Sequence, residues 1–137
     1  MKKTVYAYAC GDILHYGHIS FLEKAKEKGD YLIVGVLSDK AIMEKKQKPI
    51  MPLDERIKVI EALKCVDLAI VQYEYSPLEN VKKFKPNVLI ESNSHEHMPA
   101  NAFVKDYGGK VVIIPYYKGI SSSDIKNKIL KLWKRKR

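Results

Sequence analysis

Cysteine is nearly absent from this chain: Cys10 and Cys65 are the only two among 137 residues. They are too few and too far apart for a disulfide framework or a zinc knuckle, so both read as free thiols. Long apolar runs are missing too, and none approaches the ~20 residues that a membrane-crossing helix needs. The opening Met-Lys-Lys-Thr leads into an apolar stretch that is short, ends at Gly11-Asp12 and alternates like a buried strand, which is unlike a secretory signal. The expectation is a cytoplasmic protein. Acidic residues are outnumbered, 16 against 25 Lys and Arg, leaving a formal charge of +9. There is no G-x-x-x-x-G-K-[ST] loop, no G-x-G-x-x-G fingerprint and no G-x-S-x-G elbow. P-loop NTPases and conventional dinucleotide dehydrogenases are thereby excluded.

What remains is a length suited to one compact domain with a single core. Apolar runs of strand length recur at Val5–Ala9, Tyr31–Leu37, Leu68–Val71, Val88–Ile90 and Val111–Ile114. Between them lie amphipathic stretches of helical period. The first, Ile19–Lys28, carries Ile19, Leu22 and Ala25 on one face with Phe21 beside them. A second starts near Pro52, and shorter ones cover Pro77–Phe84 and Ala100–Tyr107. The last begins at Ser121 or Ser122, where Ser121-Ser-Ser-Asp124 resembles a capping box, and runs into the basic end. Strands alternating with helices predict a Rossmann-like, doubly wound, five-stranded parallel sheet in a three-layer α/β/α arrangement. Residues 1–130 are read as the domain and 131–137 as a basic tail.

The turn between the first strand and the first helix, Cys10-Gly-Asp-Ile-Leu-His15-Tyr-Gly17-His18, puts two imidazoles beside one glycine. In an α/β fold this turn lies at the carboxyl end of a strand, where ligands bind, and the free N–H groups of the following helix favour an anion. The basic cluster at the C-terminal end, Lys126, Lys128 and Lys131 to Arg137, has two readings. It is a footprint for a polyanion or membrane surface, or a frayed, solvated helix end whose cations suit the helix dipole; the second is preferred, and nucleic acid is not expected as a partner. A further cluster, Lys45, Lys46 and Lys48, falls in a segment free to fold over a triphosphate.

His15-Tyr16-Gly17-His18, preceded by Asp12, resembles the H-x-G-H signature of the nucleotidyltransferase superfamily that includes the cytidylyltransferases. The likeness continues through Gly29-Asp30, Ser38-Asp39, Arg56 and Val66-Asp67 to Gly119-Ile120-Ser121-Ser122-Ser123. It is nearest to the small bacterial glycerol-3-phosphate cytidylyltransferases, and is also similar to the nucleotidyltransferase domain of heptose-phosphate enzymes and to archaeal FAD synthases. The resemblance implies that an acceptor phosphate or phosphonate oxygen attacks the α-phosphorus of a nucleoside triphosphate and pyrophosphate leaves. CTP and a small phosphorylated alcohol are the first expectation, with adenylyl transfer from ATP to a flavin or sugar phosphate as the alternative. Mg2+ would come held mainly by the nucleotide phosphates, and a homodimer is common in the family.

Carried onto this chain, the resemblance implies that His15, His18, Lys45, Lys48 and Arg56 act on the reacting phosphates. Ala9, Cys10, Gly11, Gly17, Glu91, Asn93, Gly119, Ile120, Ser121, Ser122 and Ser123 would line the nucleotide. Asp12, Lys64, Asp67 and Lys118 would stand on the acceptor side. The chain departs from the pattern at Ala9-Cys10-Gly11-Asp12, where the family commonly reads G-T-F-D, and at Tyr116-Tyr117-Lys118, where an arginine is usual. It departs again at Glu91 to His97, in place of a G-D-D-W-like segment. His95-Glu96-His97 hints at a metal site, but without evident third and fourth ligands it reads as lining for the base or acceptor pocket.

Overall fold

A computed structural model of the chain describes residues 2–92 and 99–136. Five strands, β1 (Thr4–Ala9), β2 (Tyr31–Leu37), β3 (Leu68–Gln72), β4 (Val88–Glu91) and β5 (Lys110–Ile113), alternate with helices α1 (Tyr16–Lys26), α2 (Asp39–Met43), α3 (Leu53–Glu61), α4 (Leu78–Phe84), α5 (Pro99–Asp106) and α6 (Ser122–Lys136). The sheet order is β3-β2-β1-β4-β5, and all pairings are parallel. The order reverses between β1 and β4, so the crevice at the carboxyl ends of those strands is where a doubly wound sheet binds ligands.

Period-two alternation divides the core. Val5 and Ala7 of β1, with Leu32, Val34 and Val36 of β2, face Phe21, Leu22 and Ala25 of α1 and Ile60 of α3. Tyr6, Tyr8, Ile33 and Leu37 point the other way, toward Ala41 and Ile42 of α2, Val81 of α4, and Ala100 and Val104 of α5. Burying one such large side chain contributes roughly 1.5–3 kcal/mol. Two helical groups on opposite faces of one sheet make the three layers expected from the sequence.

Two elements differ from the sequence reading. Helix α2 is an addition: five residues are too few to show a helical period, yet Ser38 caps it by accepting a hydrogen bond from the Ala41 N–H (3.1 Å). The basic end is no separate tail, because α6 continues without a break from Ser122 to Lys136, and none of its residues is buried. No Gly or Pro interrupts it, and its apolar positions keep helical spacing throughout. No helix among the described residues is long and apolar enough to cross a membrane.

Candidate functional site

The β1–α1 turn is held by its own side chains. His15 is the N-cap of α1, its Nδ1 accepting the Gly17 N–H at 3.0 Å, while His18 Nδ1 accepts the His15 N–H at 3.2 Å. This is a capping box built from imidazoles instead of hydroxyl and carboxylate. It fixes the tautomers: with both Nδ1 atoms accepting, the neutral rings carry their protons on Nε2. Burial lowers the pKa of His15, and burial with the neighbouring His15 charge lowers that of His18 to about 4. Both are therefore neutral N–H donors at pH 7. Gly17 is required by the ring beside it, since a Cβ there would lie 2.7 Å from His15 Cε1. The turn itself is strained: Gly11 has φ +74° and Ile13, a β-branched residue, has φ +50°.

The far end of the chain closes on this turn. The Ile120 carbonyl would stand 3.3 Å from a Cβ on Gly17. Ser121 caps α6 by accepting the Asp124 N–H (3.1 Å), and the Ser122 hydroxyl donates to the Asp12 carbonyl (2.6 Å). A cavity of about 600 Å³ lies between the two segments, walled by Ala9, Cys10, Asp12, His15, Gly17, His18, Ile120, Ser121, Ser122 and Ser123, together with Lys46, Gln47, Lys126 and Asn127. That volume suits a nucleotide. The start of α6 presents free N–H groups and hydroxyls to it, an arrangement that attracts phosphate.

Asp12, expected on the acceptor side, works as a staple. Its carboxylate accepts the Ile50 and Met51 N–H groups (3.0 and 2.9 Å) and the Lys126 ammonium (2.9 Å), so one side chain joins the turn, the segment before α3, and α6. Burial alone would raise its pKa, but these three donors hold it below the ordinary carboxylate value. The sequence reading places Lys126 in the basic C-terminal cluster and not at the site. The available signal was its spacing, four residues after Ser122 and hence on the same face of a helix already under way.

Arg56 also stands elsewhere than expected. It is fully buried, off the cavity wall, and its fork is spent on the protein. Nη1 donates to the Cys10 and Leu37 carbonyls (both 2.7 Å), Nε to the Met51 carbonyl (3.0 Å), and Nη2 to Asp39 (2.6 Å). Of the loop lysines, Lys46 reaches the wall, whereas Lys45 and Lys48 are exposed and off it. Lys64 and Asp67 belong to the opposite end of the molecule. They precede β3, and Asp67 binds the Leu32 N–H (2.8 Å) at the start of β2 and the Lys26 ammonium, which places both at the amino edge of the sheet. Lys118 and Gly119 are exposed and Gly11 is buried, all three outside the wall. Asn93 and the His95-Glu96-His97 triplet lie outside the described residues. Among the described residues, no group of three or more His, Cys, Asp or Glu is placed to hold a metal ion.

Glu91 ends β4 fully buried and off the cavity wall. Burial pushes its carboxyl up to about 7, partly offset by hydrogen bonds from Tyr8 and Asn101. The folded chain thus keeps this proton from pH 4.5 to about 7 while the unfolded chain releases it. Stability from Glu91 is full below 4.5 and lost as pH rises through 7. His18 has the opposite sign: its folded pKa is depressed from 6.5 to about 4, so its contribution is present above 6.5 and lost as pH falls. Over the shared window the two slopes oppose each other. Glu91→Gln unmasks the histidine, and the variant gains roughly 2–3 kcal/mol on the parent between pH 5 and pH 8. Urea melts at both pH values check this; a difference that does not change with pH refutes it.

The chain is similar to known proteins over most of its length. A family model described as cytidylyltransferase-like matches residues 6–128. The bifunctional protein HldE of Geobacter metallireducens is 34% identical over 136 residues, covering 96% of this chain and 28% of that protein. HldE of Helicobacter hepaticus is 37% identical over 126 residues, covering 90% of this chain and 26% of its own length. The chain thus spans little more than a quarter of these curated relatives. Among solved structures, a lipopolysaccharide core biosynthesis protein from Thermoplasma volcanium superposes with a TM-score of 0.76 at 30% identity, over 86% of this chain and 100% of the other. With a model match spanning both the two-histidine turn and the serine-led start of α6, the chain belongs to the cytidylyltransferase-like family of nucleotidyltransferases.

Proposed function

We propose that the chain transfers AMP from ATP to the phosphate of a small sugar phosphate, releasing pyrophosphate. The observation that carries the transfer chemistry is the single cavity onto which the neutral His15 and His18 rings and the Ser121–Ser123 start of α6 converge. The acceptor phosphate oxygen attacks the α-phosphorus and the bond to the β-phosphate oxygen breaks, with no covalent enzyme intermediate. Catalysis is then positioning plus stabilisation of charge on the transferring phosphorus. The two Nε2–H groups donate to oxygens on which that charge builds. The α6 amides, the Ser121 and Ser123 hydroxyls and Lys126 hold the departing pyrophosphate. Mg2+ carried in with the nucleotide would neutralise phosphate charge. Asp12, the one carboxylate on the wall among the described residues, is already engaged by Lys126 and two backbone N–H groups, which fits a metal held by phosphate and water.

The choice of ATP over CTP rests on the relatives. The resemblance to glycerol-phosphate enzymes makes CTP the first expectation, but relatives such as HldE and a lipopolysaccharide core biosynthesis protein favour the likeness to heptose-phosphate enzymes. A thermal-shift panel of ATP, CTP, GTP and UTP with Mg2+ decides the base. It is followed by pyrophosphate release against sugar phosphates, phosphoalcohols and phosphonates. ATP is expected to give the largest shift, and sugar phosphates the turnover. Stabilisation by CTP and not ATP refutes the adenylyl reading and restores the cytidylyl one.

A further inference from the structure

Two jaws enclose the cavity. One is the His15–His18 start of α1, anchored by Phe21 and Leu22 in the core; the other is the Ser121–Ser123 start of α6, a helix with no buried residue, so core packing does not set its place. On one side Asp12 ties the jaws together, its carbonyl accepting the Ser122 hydroxyl and its carboxylate the Lys126 ammonium. On the other side the ties are aromatic. Tyr16 and Tyr117 meet edge to face, their centroids 5.1 Å apart and their planes at 85°. Phe21 and Tyr116 lie 5.3 Å apart at 38°. Both separations fall where ring quadrupoles attract, and the first pair has the favoured T shape.

The position of Tyr117 gives that pair its consequence. It is the last residue before the turn at Lys118-Gly119, which leads through Ile120 into α6. Its ring folds back over the turn, so that a Cβ on Gly119 would lie 2.5 Å from its hydroxyl oxygen. One ring therefore touches α1 through Tyr16 and the bend that aims α6 through Gly119. Tyr16 itself is 59% exposed and off the cavity wall, although its neighbours His15 and Gly17 stand on it. This is also the stretch where tyrosines replace the arginine usual in the family, and Lys118 is exposed and off the wall. What the segment supplies here is ring contact rather than charge.

We infer that Tyr117 is a positioning residue, whose contact with Tyr16 sets the gap between the two jaws and so the fit of a triphosphate chain between the imidazoles and the α6 amides. The inference rests on reading the cavity as a triphosphate site and goes beyond it, because Tyr16 acts without touching the nucleotide. The Asp12 ties remain when the rings are lost, so the jaws stay joined at one side and widen at the other.

Calorimetric titration of the full chain with Mg-ATP, and separately with Mg-tripolyphosphate, tests this across Tyr16→Ala, Tyr117→Ala and the double variant. Each single change is expected to raise the Kd for both probes roughly three- to tenfold, the size of one aromatic pair. The double variant goes no further than the larger single, because the interaction is already gone. Tyr16→Phe and Tyr117→Phe keep the rings and the parent values. Melting temperatures are read alongside. Unchanged Kd values with only the melting temperature lowered make the pair a structural contact and overturn the inference. Additive effects in the double variant overturn it as well. So does a Tyr117→Ala that weakens ATP but not tripolyphosphate while Tyr16→Ala is silent, since Tyr117 then touches the nucleoside directly. The parent's own preference among nucleotides is read first. If that is CTP, the adenylyl reading fails and the same cycle is run with CTP, where the variants alone decide the inference. A parent that binds no triphosphate refutes the site itself and the inference with it.

Discussion

His18→Ala is expected to lower kcat by about 10²–10³-fold, the loss found when one preorganised donor to a developing oxyanion is removed. The KM for nucleotide should move far less, because an interaction that strengthens only as charge builds on phosphorus is absent from the ground state. The ring does two jobs, however: Nδ1 caps the His15 N–H while the ring forms part of the cavity wall. Loss of a cap costs ~1 kcal/mol, so a lower melting point alone would not separate the roles. The paired test is at His15, whose Nδ1 accepts the Gly17 N–H. Asparagine is among the best N-caps and offers an oxygen to that N–H, but it cannot place a donor where Nε2 stands. His15→Asn should therefore keep most of the stability and little of the rate. If it kept full rate, the imidazole would be a cap and nothing more. The pH profile is a second check. Since burial holds His18 at about 4 and His15 below its ordinary value in the free protein, kcat/KM should show no histidine step between pH 7 and 8.

The two-histidine turn was legible in the sequence because everything that shapes it is local. Cap, ring and glycine lie within four residues, and strand followed by helix is visible as a change of period. The same holds for the sheet, whose five strands fall within a residue or so of their expected bounds. The charged residues were a different matter. On the resemblance, Arg56 reads as acting on the phosphates and Asp12 as standing on the acceptor side. Their actual partners are far away in the chain: Asp12 meets residues 38, 39 and 114 positions along, and Arg56 meets a carbonyl 46 positions back. Nothing in a linear pattern shows which side chain will be used up by such contacts. Lys64 and Asp67 are another case, because topology alone locates them. In a parallel sheet, residues just before a strand lie at its amino end, while ligands bind at the carboxyl end. The resemblance puts them on the acceptor side, and the topology puts them at the other edge of the sheet.

Arg56→Met is expected to destabilise the fold by about 3–5 kcal/mol, because three backbone carbonyls lose a charged donor at ~1–3 kcal/mol each. Set against a total stability of ~5–15 kcal/mol, that is enough to leave a sizeable unfolded fraction at physiological temperature. The size follows from what the guanidinium joins. It ties the last turn of β1, through Cys10, to the end of β2, through Leu37, and clips both to Met51 ahead of α3 and to Asp39 at the start of α2. Methionine fills similar space but donates nothing, so three carbonyls lose their donor and Asp39, about two-fifths exposed, loses its counter-charge to water. Each carbonyl left buried without a partner costs ~1–3 kcal/mol. Lysine is no substitute. Its ammonium is a point charge without the planar fork, and it cannot reach four acceptors arranged around one plane. Arg56→Lys should thus recover only part of the loss. Urea denaturation gives the free energies directly, and Michaelis kinetics on the folded fraction gives the role. A structural clamp lowers the unfolding midpoint while the folded fraction keeps its KM for nucleotide and acceptor within a few-fold. A phosphate ligand does the reverse, sparing the midpoint and raising one KM sharply. That second pattern would require Arg56 to abandon four protein partners on binding, which the full burial of its side chain opposes.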